Sequence, residues 1–283
     1  MNILTKESIE RFYIRLLEEE KARATIEKYL RDIRAFAEWV GDAALDKCKV
    51  LEYKRYLSER YAVTSVNSIL SSLNAFFVCY NRYDLKVRTL KVQKQIFSEK
   101  TRELSKSEYL RLLEVAEAQH MTRLYLLMQT VCATGIRVSE LQYITVEAVE
   151  RGCAKIRGKG KYRTVFLPRE LCTMLKRYLR LQGIVCGTVF VTRHGNPMNR
   201  SNIWKEMKRL CRLAGVCEKK VFPHNLRHLF ARTYYTVRKD IVRLADILGH
   251  ASINTTRIYT MECGDTHRRQ LQQLGLLKSV CIT

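Results

Sequence analysis

The hydrophobic pattern over the first eighty residues has the period of an α-helix. Apolar residues recur three and four positions apart in successive segments, and short polar stretches separate the segments. These segments begin near Thr5, Ala24, Leu45 and Thr64. Four amphipathic helices with short loops make a compact bundle. The pattern therefore predicts a small, all-helical N-terminal domain over residues 1–84.

The following stretch, residues 85–103, has weak periodicity and repeated basic residues. This composition predicts an interdomain linker. From residue 104 to 283 the helical period returns, with Ser105 and Glu108 spaced as a capping box and a strongly apolar segment from Met121 to Cys132. Further helices are predicted from Glu170 and from a cap at Ser201. This second domain is predicted to be mixed.

Strand-like alternation interrupts the second domain from Ala154 onward. The segment Gly158-Lys159-Gly160-Lys161 lies between two alternating runs, which predicts a β-hairpin with lysines in its turn. A second short strand is predicted at Val189-Phe190-Val191. The fold class is therefore mainly α with a small β-hairpin.

Charge is the most informative part of the composition. The 283 residues carry a formal net charge of +23, of which +5 falls up to residue 103 and +18 beyond it. Such an excess, spread along the whole chain, favours a polyanionic partner, and the spread favours nucleic acid over a membrane surface. Apolar runs are too short to span a membrane, and the N-terminus lacks a signal peptide, so we expect a cytoplasmic protein.

The cysteines do not indicate a metal or disulfide framework. Ten cysteines are scattered with no Cys-x-x-Cys pair, which is typical of free thiols in a reducing compartment. The Gly-Lys-Gly segment also lacks the spacing of a nucleotide-binding P-loop. We therefore expect neither a metal nor a cofactor.

Candidate chemistry is concentrated between Pro223 and Tyr259. Pro223 suits a helix start, and three residues separate His224 from Arg227, which places both on one helix face. Gly249 indicates a helix end, directly followed by His250, and Tyr259 follows a predicted cap at Ser252. An imidazole, a guanidinium and a phenol in this order suit a phosphate and a nucleophile that attacks it.

Two further candidates precede this segment. Arg137 lies just past a glycine turn between two predicted core helices, and Arg provides the fork that binds phosphate oxygens. Lys159 lies in the hairpin turn, with Lys161 as the alternative. Each residue alone could simply be exposed to solvent, so the functional interpretation depends on the residues acting as a set.

As a set, these motifs resemble the tyrosine recombinases, the phage-integrase and Xer-type family. Ala133-Thr134-Gly135-Ile136-Arg137 resembles the first arginine box, and His224-Asn225-Leu226-Arg227 the His-x-x-Arg box. Leu248-Gly249-His250 followed by Tyr259 resembles the nucleophile segment, and Gly158-Lys159-Gly160 the hairpin lysine. The resemblance covers nearly the whole chain. It implies a helical core-binding, SAM-like domain ahead of an α+β catalytic domain of the DNA breaking-rejoining type.

The resemblance also implies roles for the candidates. Arg137 and Arg227 would hold the scissile phosphate, and His250 would add a hydrogen bond. Tyr259 would form a 3′-phosphotyrosyl bond with help from His224, and Lys159 would protonate the leaving 5′ oxygen. Neither ATP nor a metal would be needed. Tyr234 and Tyr235 are rival nucleophiles, but they fall inside a predicted helix.

Assembly is a further implication of the resemblance. Double-stranded DNA is the expected partner, with four protomers on two DNA sites in the bacterial cytoplasm. The tail from Asp265 would dock on a neighbouring protomer. Two other functions stay open, namely a type IB topoisomerase-like relaxing enzyme and a catalytically silent DNA-binding regulator. The sequence does not give the DNA site, nor does it distinguish integration, inversion and dimer resolution.

Overall fold

The computed structural model describes residues 4–91, 103–158, 161–259 and 272–273, with only the backbone of Gly158 and Lys161. Two compact units make up the chain, Met1–Lys94 and Gln95–Thr283. Within the described residues the chain is mainly helical with one two-stranded hairpin, which confirms the predicted fold class. No helix in this part of the chain is long and apolar enough to cross a membrane.

The first unit is a bundle of four helices. Their bounds are α1 Lys6–Glu18, α2 Arg23–Val40, α3 Lys47–Arg60 and α4 Val63–Cys79. The Thr5 side chain accepts a hydrogen bond from the Ser8 N–H and caps α1, while Asp46 caps α3 through the Lys49 N–H. The predicted four-helix pattern is therefore confirmed, and each helix begins within two residues of its predicted start.

An apolar core fills the first unit, and one polar cluster is buried in it. Phe12, Phe36 and Phe76 are among the fully covered side chains. Asp32 is buried and accepts hydrogen bonds from the Ser72 hydroxyl and the Lys28 ammonium, each at 2.8 Å. Because a buried carboxylate needs such partners, this cluster joins α2 to α4.

Residues 85–90, which the sequence analysis assigned to the linker, pack onto the first unit. Leu85 and Val87 are buried in its core. The Asn74 side chain both donates to the Val87 carbonyl and accepts from the Val87 N–H, and Asn67 does the same for Leu90. Residues 92–102 lie outside the described residues.

The second unit surrounds a larger core. Its helices are α5 Lys106–Ala118, α6 Thr122–Thr134, α7 Val146–Arg151, α8 Arg169–Gln182, α9 Arg200–Leu213, α10 Pro223–Arg238, α11 Ile241–Leu248 and α12 Ile253–Thr256. The predicted capping box is confirmed, because Ser105 and Glu108 exchange hydrogen bonds with each other's backbone. The predicted cap at Ser201 is wrong, since the Asn199 side chain caps α9 two residues earlier.

One antiparallel hairpin interrupts these helices. Strand β1 spans Cys153–Gly158 and β2 spans Lys161–Phe166, with Ile156 opposite Arg163. The strand predicted at Val189–Val191 is not formed, because Val191 makes only an isolated bridge with Pro197. Phe190 is nevertheless buried, which explains why the segment is apolar.

Helices α6 and α10 pack together at the centre of the second unit. Between α6 and α7 the chain forms a 3₁₀ segment, Val138–Tyr143, and a 3₁₀ turn at Arg257–Tyr259 follows α12. The ends of α6 and α11 and the first turns of α10 therefore approach one another. This arrangement brings together segments more than a hundred residues apart in the sequence.

Candidate active site

Arg227 is the most deeply buried charged residue at this meeting point, with 1% of its surface exposed. It lies in the second turn of α10, and its guanidinium reaches the ends of two other helices. Nη1 donates to the Gly135 carbonyl at 2.6 Å, and Nη2 donates to the Leu248 carbonyl at 2.8 Å. Burial and the nearby charge of Arg137 lower the Arg227 pKa to about 10, so the side chain stays charged at neutral pH.

Two glycines make room for this arrangement. Gly135 ends α6 with φ +67°, and a Cβ there would lie 2.4 Å from the Phe230 ring. Gly249 ends α11 with φ +63°, and a Cβ there would lie 2.8 Å from Cδ of Arg163. Glycine is therefore required at both positions by backbone conformation and by space.

Arg137 lies at the surface near Arg227 and is held by a buried carboxylate. Its Nη1 donates to Glu140 Oε1 at 2.9 Å, and its backbone N–H donates to Glu140 Oε2 at 2.7 Å. Burial raises the pKa of Glu140, but hydrogen bonds from Arg163 and Arg137 outweigh this and hold the pKa below its usual range. Glu140 is therefore ionised at neutral pH and orients Arg137.

His250 lies beside Arg227 in the neutral form. Burial, together with the charges of Arg227, Arg137 and Arg163, lowers its pKa to about 4. Its Nε2 lies 3.0 Å from Arg227 Nη2, and its Nδ1 lies 2.8 Å from the Thr256 hydroxyl. Because a guanidinium can only donate, Nε2 is the acceptor and Nδ1 carries the proton.

Tyr259 packs beside this pair, with 4% of its surface exposed. Its ring is stacked on His250 at a centroid distance of 6.1 Å. It shares a small cluster with Ala231, Leu244 and Leu248, which fixes the 3₁₀ turn against α10 and α11. Burial raises the pKa of the Tyr259 hydroxyl, and the positive charges of Arg227 and Arg137 offset part of this rise.

Two histidines of α10 continue the cluster. The His228 ring contacts Tyr259 edge to face at 4.9 Å and His224 at 4.4 Å. Burial lowers the pKa of His228 to about 4, and partial burial and neighbouring arginines also lower the pKa of His224. His228 therefore lies between His224 and Tyr259, and both imidazoles are neutral at neutral pH.

A cavity of about 490 Å³ opens beside His224 and the two arginines, Arg137 and Arg227. Arg137, Arg200, His224 and Arg227 line it, together with Ser139 and Asn199. Its charged lining is basic, which suits an anion such as a phosphate diester. The described residues hold no cluster of three or more His, Cys, Asp or Glu side chains that could bind a metal.

The structure thus brings five of the six candidate residues into one site. Arg137, His224, Arg227, His250 and Tyr259 converge there, whereas Lys159 lies outside the described residues. Of the alternative lysine, Lys161, only the backbone is described, and it pairs with Gly158. The sequence analysis did not single out Glu140, Arg163, His228 or Thr256. Glu140 carried a signal, because its three-residue spacing from Arg137 suits a hydrogen bond.

Comparison with known proteins gives matches over both units. A model of the phage integrase family matches residues 102–263, and a model of the phage integrase N-terminal, SAM-like domain matches residues 9–82. Tyrosine recombinase XerA of Pyrococcus furiosus is 30% identical over 287 residues, which cover 98% of this chain and 97% of the relative.

Solved structures show the same fold. The XerH recombinase bound to its difH substrate has a TM-score of 0.70 at 22% identity, covering 97% of this chain and 85% of that one. A lambda integrase tetramer bound to a Holliday junction has a TM-score of 0.71 at 19% identity, and the match covers 89% of this chain and 75% of that one. Because the catalytic-domain model matches more than half of the chain, and XerA aligns over nearly all of it, this chain belongs to the phage integrase family of tyrosine recombinases.

Proposed function

We propose that this chain is a site-specific DNA strand transferase that cuts and rejoins DNA through Tyr259. One observation carries the proposal: Arg137 and Arg227 border a single cavity, and Tyr259 is packed on His250 beside Arg227. Two guanidiniums and a phenol are the groups required to displace a sugar oxygen from a phosphate diester. Family membership and the net charge of +23 agree with a DNA substrate.

In the proposed reaction the arginines bind the two non-bridging oxygens of the scissile phosphate. Arg227 is fixed by two carbonyls and Arg137 by Glu140, so neither must reorganise as charge develops on the phosphorane. Donors fixed in this way stabilise a transition state more than mobile ones do. The guanidiniums also supply the positive charge that a metal ion would otherwise provide.

The Tyr259 oxygen then attacks phosphorus, the P–O5′ bond breaks, and a 3′-phosphotyrosyl ester forms. The tyrosine proton must leave, and neutral imidazoles near it suit this step because they can accept a proton. We assign this role to His224, with the His228 ring lying between it and Tyr259. We assign to His250 a hydrogen bond to a phosphate oxygen; this requires that the phosphate charge raise the pKa of the ring and that Nε2 exchange its bond from Arg227 for one to the phosphate.

The leaving 5′ oxygen takes up a proton, which we assign to Lys159. A 5′-hydroxyl of a second DNA strand reverses the step and releases Tyr259. Each step exchanges one phosphate ester for another, so the bond energy is retained and ATP is not consumed. Paired cutting and rejoining of this kind yields recombined DNA.

Assembly is the second part of the proposal. The lambda integrase relative is a tetramer on a Holliday junction, and we propose four protomers on two DNA sites here as well. The N-terminal domain predicted over residues 1–84 would bind the DNA core site, and residues from 104 would carry catalysis. The tail from Asp265, which lies outside the described residues except for 272–273, would dock on a neighbouring protomer. Unchanged assembly on DNA after deletion of the tail would refute that exchange.

The test uses a DNA site selected by the protein from a random-sequence pool, with footprinting to locate the bound segment. A suicide duplex of that sequence, nicked so that the cut fragment diffuses away, should trap a covalent adduct without ATP. Two such sites on one plasmid should give recombined circles. Relaxed circles from any plasmid would instead indicate a topoisomerase, and binding without an adduct would indicate a regulator.

A further inference from the structure

Arg163 lies where three segments of the second unit meet. It is on β2, where its neighbours Tyr162 and Thr164 are exposed and its own side chain is 17% exposed. Its guanidinium forms a two-pronged pair with Glu140, Nη1 to Oε1 at 2.9 Å and Nη2 to Oε2 at 2.7 Å. A paired fork of this kind is among the strongest and most directional interactions between side chains.

The same side chain closes over Gly249. Its Cδ, Nε and Nη1 atoms lie 2.8 to 3.0 Å from where a Cβ of residue 249 would be. Residue 249 joins Leu248, whose carbonyl accepts from Arg227, to His250, whose ring also contacts Arg227. Arg163 therefore connects the hairpin both to the carboxylate that holds Arg137 and to the turn that holds Arg227.

Charge gives Arg163 a second effect. Glu140 Oε1 and Oε2 each accept one hydrogen bond from Arg163 and one from Arg137. One carboxylate is thus shared between two guanidiniums, and a net positive charge remains. Without Arg163, the full charge of buried Glu140 would act on Arg137 and reduce its attraction for a phosphate.

We propose that Arg163 is a positioning residue: it neutralises Glu140, so that the positive charge of Arg137 acts on the scissile phosphate, and it braces the turn at Gly249. The inference rests on the proposed function. It assigns Arg163 no contact with DNA. Arg163 acts on the phosphate only through Arg137. Loss of Arg163 should therefore slow strand cleavage most when the scissile phosphate carries its negative charge.

The experiment compares two substrates that differ only in that charge. The selected suicide duplex is prepared with an ordinary phosphate diester, or with a methylphosphonate in which one non-bridging oxygen at the mapped cleavage position is replaced by a methyl group. Wild type, Arg163→Met and Arg137→Ala are each used in excess over DNA, and strand cleavage is followed in a single turnover. Arg157→Met, on the adjacent strand and exposed, is the matched control for loss of a hairpin charge.

On the phosphate diester, Arg163→Met should cleave about 10- to 100-fold more slowly than wild type, as expected for misplacement of a reacting group. On the methylphosphonate, Arg163→Met should cleave no more than about threefold more slowly than wild type, and the loss of rate in Arg137→Ala should become smaller as well. Arg157→Met should cleave both substrates like wild type. An equal deficit of Arg163→Met on both substrates, or none on either, would overturn the proposal. If wild type forms no adduct at all, the proposed function has failed instead.

A second variant separates this role from simple misfolding. Arg163→Met leaves Glu140 without its two-pronged partner, whereas Arg163→Met combined with Glu140→Gln removes both charges of the pair. The double variant should therefore cleave the phosphate diester several-fold faster than Arg163→Met. A double variant that is no faster than the single one contradicts neutralisation of Glu140 by Arg163.

Discussion

The two units of this chain have different interiors. Among the described residues, the first unit buries two polar side chains, Asp32 and Ser72, inside an apolar core. The second unit buries Glu140 and Arg227 where its helices end, and glycines at 135 and 249 let the side chains of Phe230 and Arg163 pack closely there. Both units bury a carboxylate, but in the part of the chain that the structure describes only the second also buries a guanidinium, at the place where the candidate residues meet. The comparison teaches that the buried charge of the first unit joins two helices, whereas the second accepts a larger cost of buried charge for the sake of chemistry.

The largest expected effect is the loss of adduct formation when Arg227 is replaced. This loss should be specific to the second unit. Arg227→Lys keeps the charge but loses the fork that reaches two carbonyls. We expect adduct formation with the suicide duplex to fall about 100- to 1,000-fold, the usual cost of a lost transition-state donor.

Leu73→Ala in the first unit is the matched contrast. Leu73 is fully buried, so this change should cost about 2 to 5 kcal/mol of unfolding free energy. At saturating protein and low temperature its adduct rate should nevertheless stay near that of wild type. The comparison of the two units fails if Leu73→Ala lowers that rate as much as Arg227→Lys does.

The next effect concerns the glycine that Arg227 contacts. Gly135→Ala places a methyl group 2.4 Å from the Phe230 ring at a residue with positive φ, so we expect a loss of about 2 to 4 kcal/mol in unfolding free energy. Gly183→Ala has a similar φ of +64° but no described atom within 4 Å, so it should cost only about 1 kcal/mol. Urea unfolding measures both, and equal losses would show that crowding at Phe230 is unimportant.

The last effect is a difference in acid sensitivity. Burial lowers the pKa of His228 and of His250 to about 4, whereas unfolded histidines titrate near their ordinary pKa of about 6.5. Between these values the unfolded chain binds more protons, so the unfolding free energy falls as pH falls. The first unit contains no histidine, so this loss should be confined to the second unit.

Each unit contains one tryptophan, which makes this measurement possible. Trp39→Phe leaves Trp204 to report on the second unit, and Trp204→Phe leaves Trp39 to report on the first. From pH 7 to pH 5 the Trp204 signal should show the larger loss in unfolding midpoint, and His228→Asn should reduce that loss. Equal losses at both reporters would contradict the assignment to buried histidines.

Sequence reasoning was most successful where local pattern determines structure. The periodicity of α1 to α4 and the capping box at Ser105 depend on residues close together in the chain. It was less successful at Val189–Val191, where burial of Phe190 produced an apolar run without a strand. A short apolar run alone cannot distinguish a buried strand from a buried segment of irregular structure.

The candidate site was predictable in its residue types but not in its support. Arg227 is held by carbonyls 92 and 21 positions away, and Arg163 reaches a carboxylate 23 positions away. Backbone carbonyls carry no sequence signature, so the burial of Arg227 could not be predicted. The role of His228 could not be predicted either, because its contact with Tyr259 depends on how the turn after α12 packs against α10.

The central claim is that Tyr259 is the nucleophile, and one measurement tests it directly. The adduct trapped on the suicide duplex is digested with nuclease and trypsin, and the modified peptide is sequenced by mass spectrometry. The account predicts a nucleotide on Tyr259, in the peptide that begins at Ile258, and no adduct from Tyr259→Phe. A nucleotide on Tyr234 or Tyr235, or an undiminished adduct from Tyr259→Phe, would contradict it.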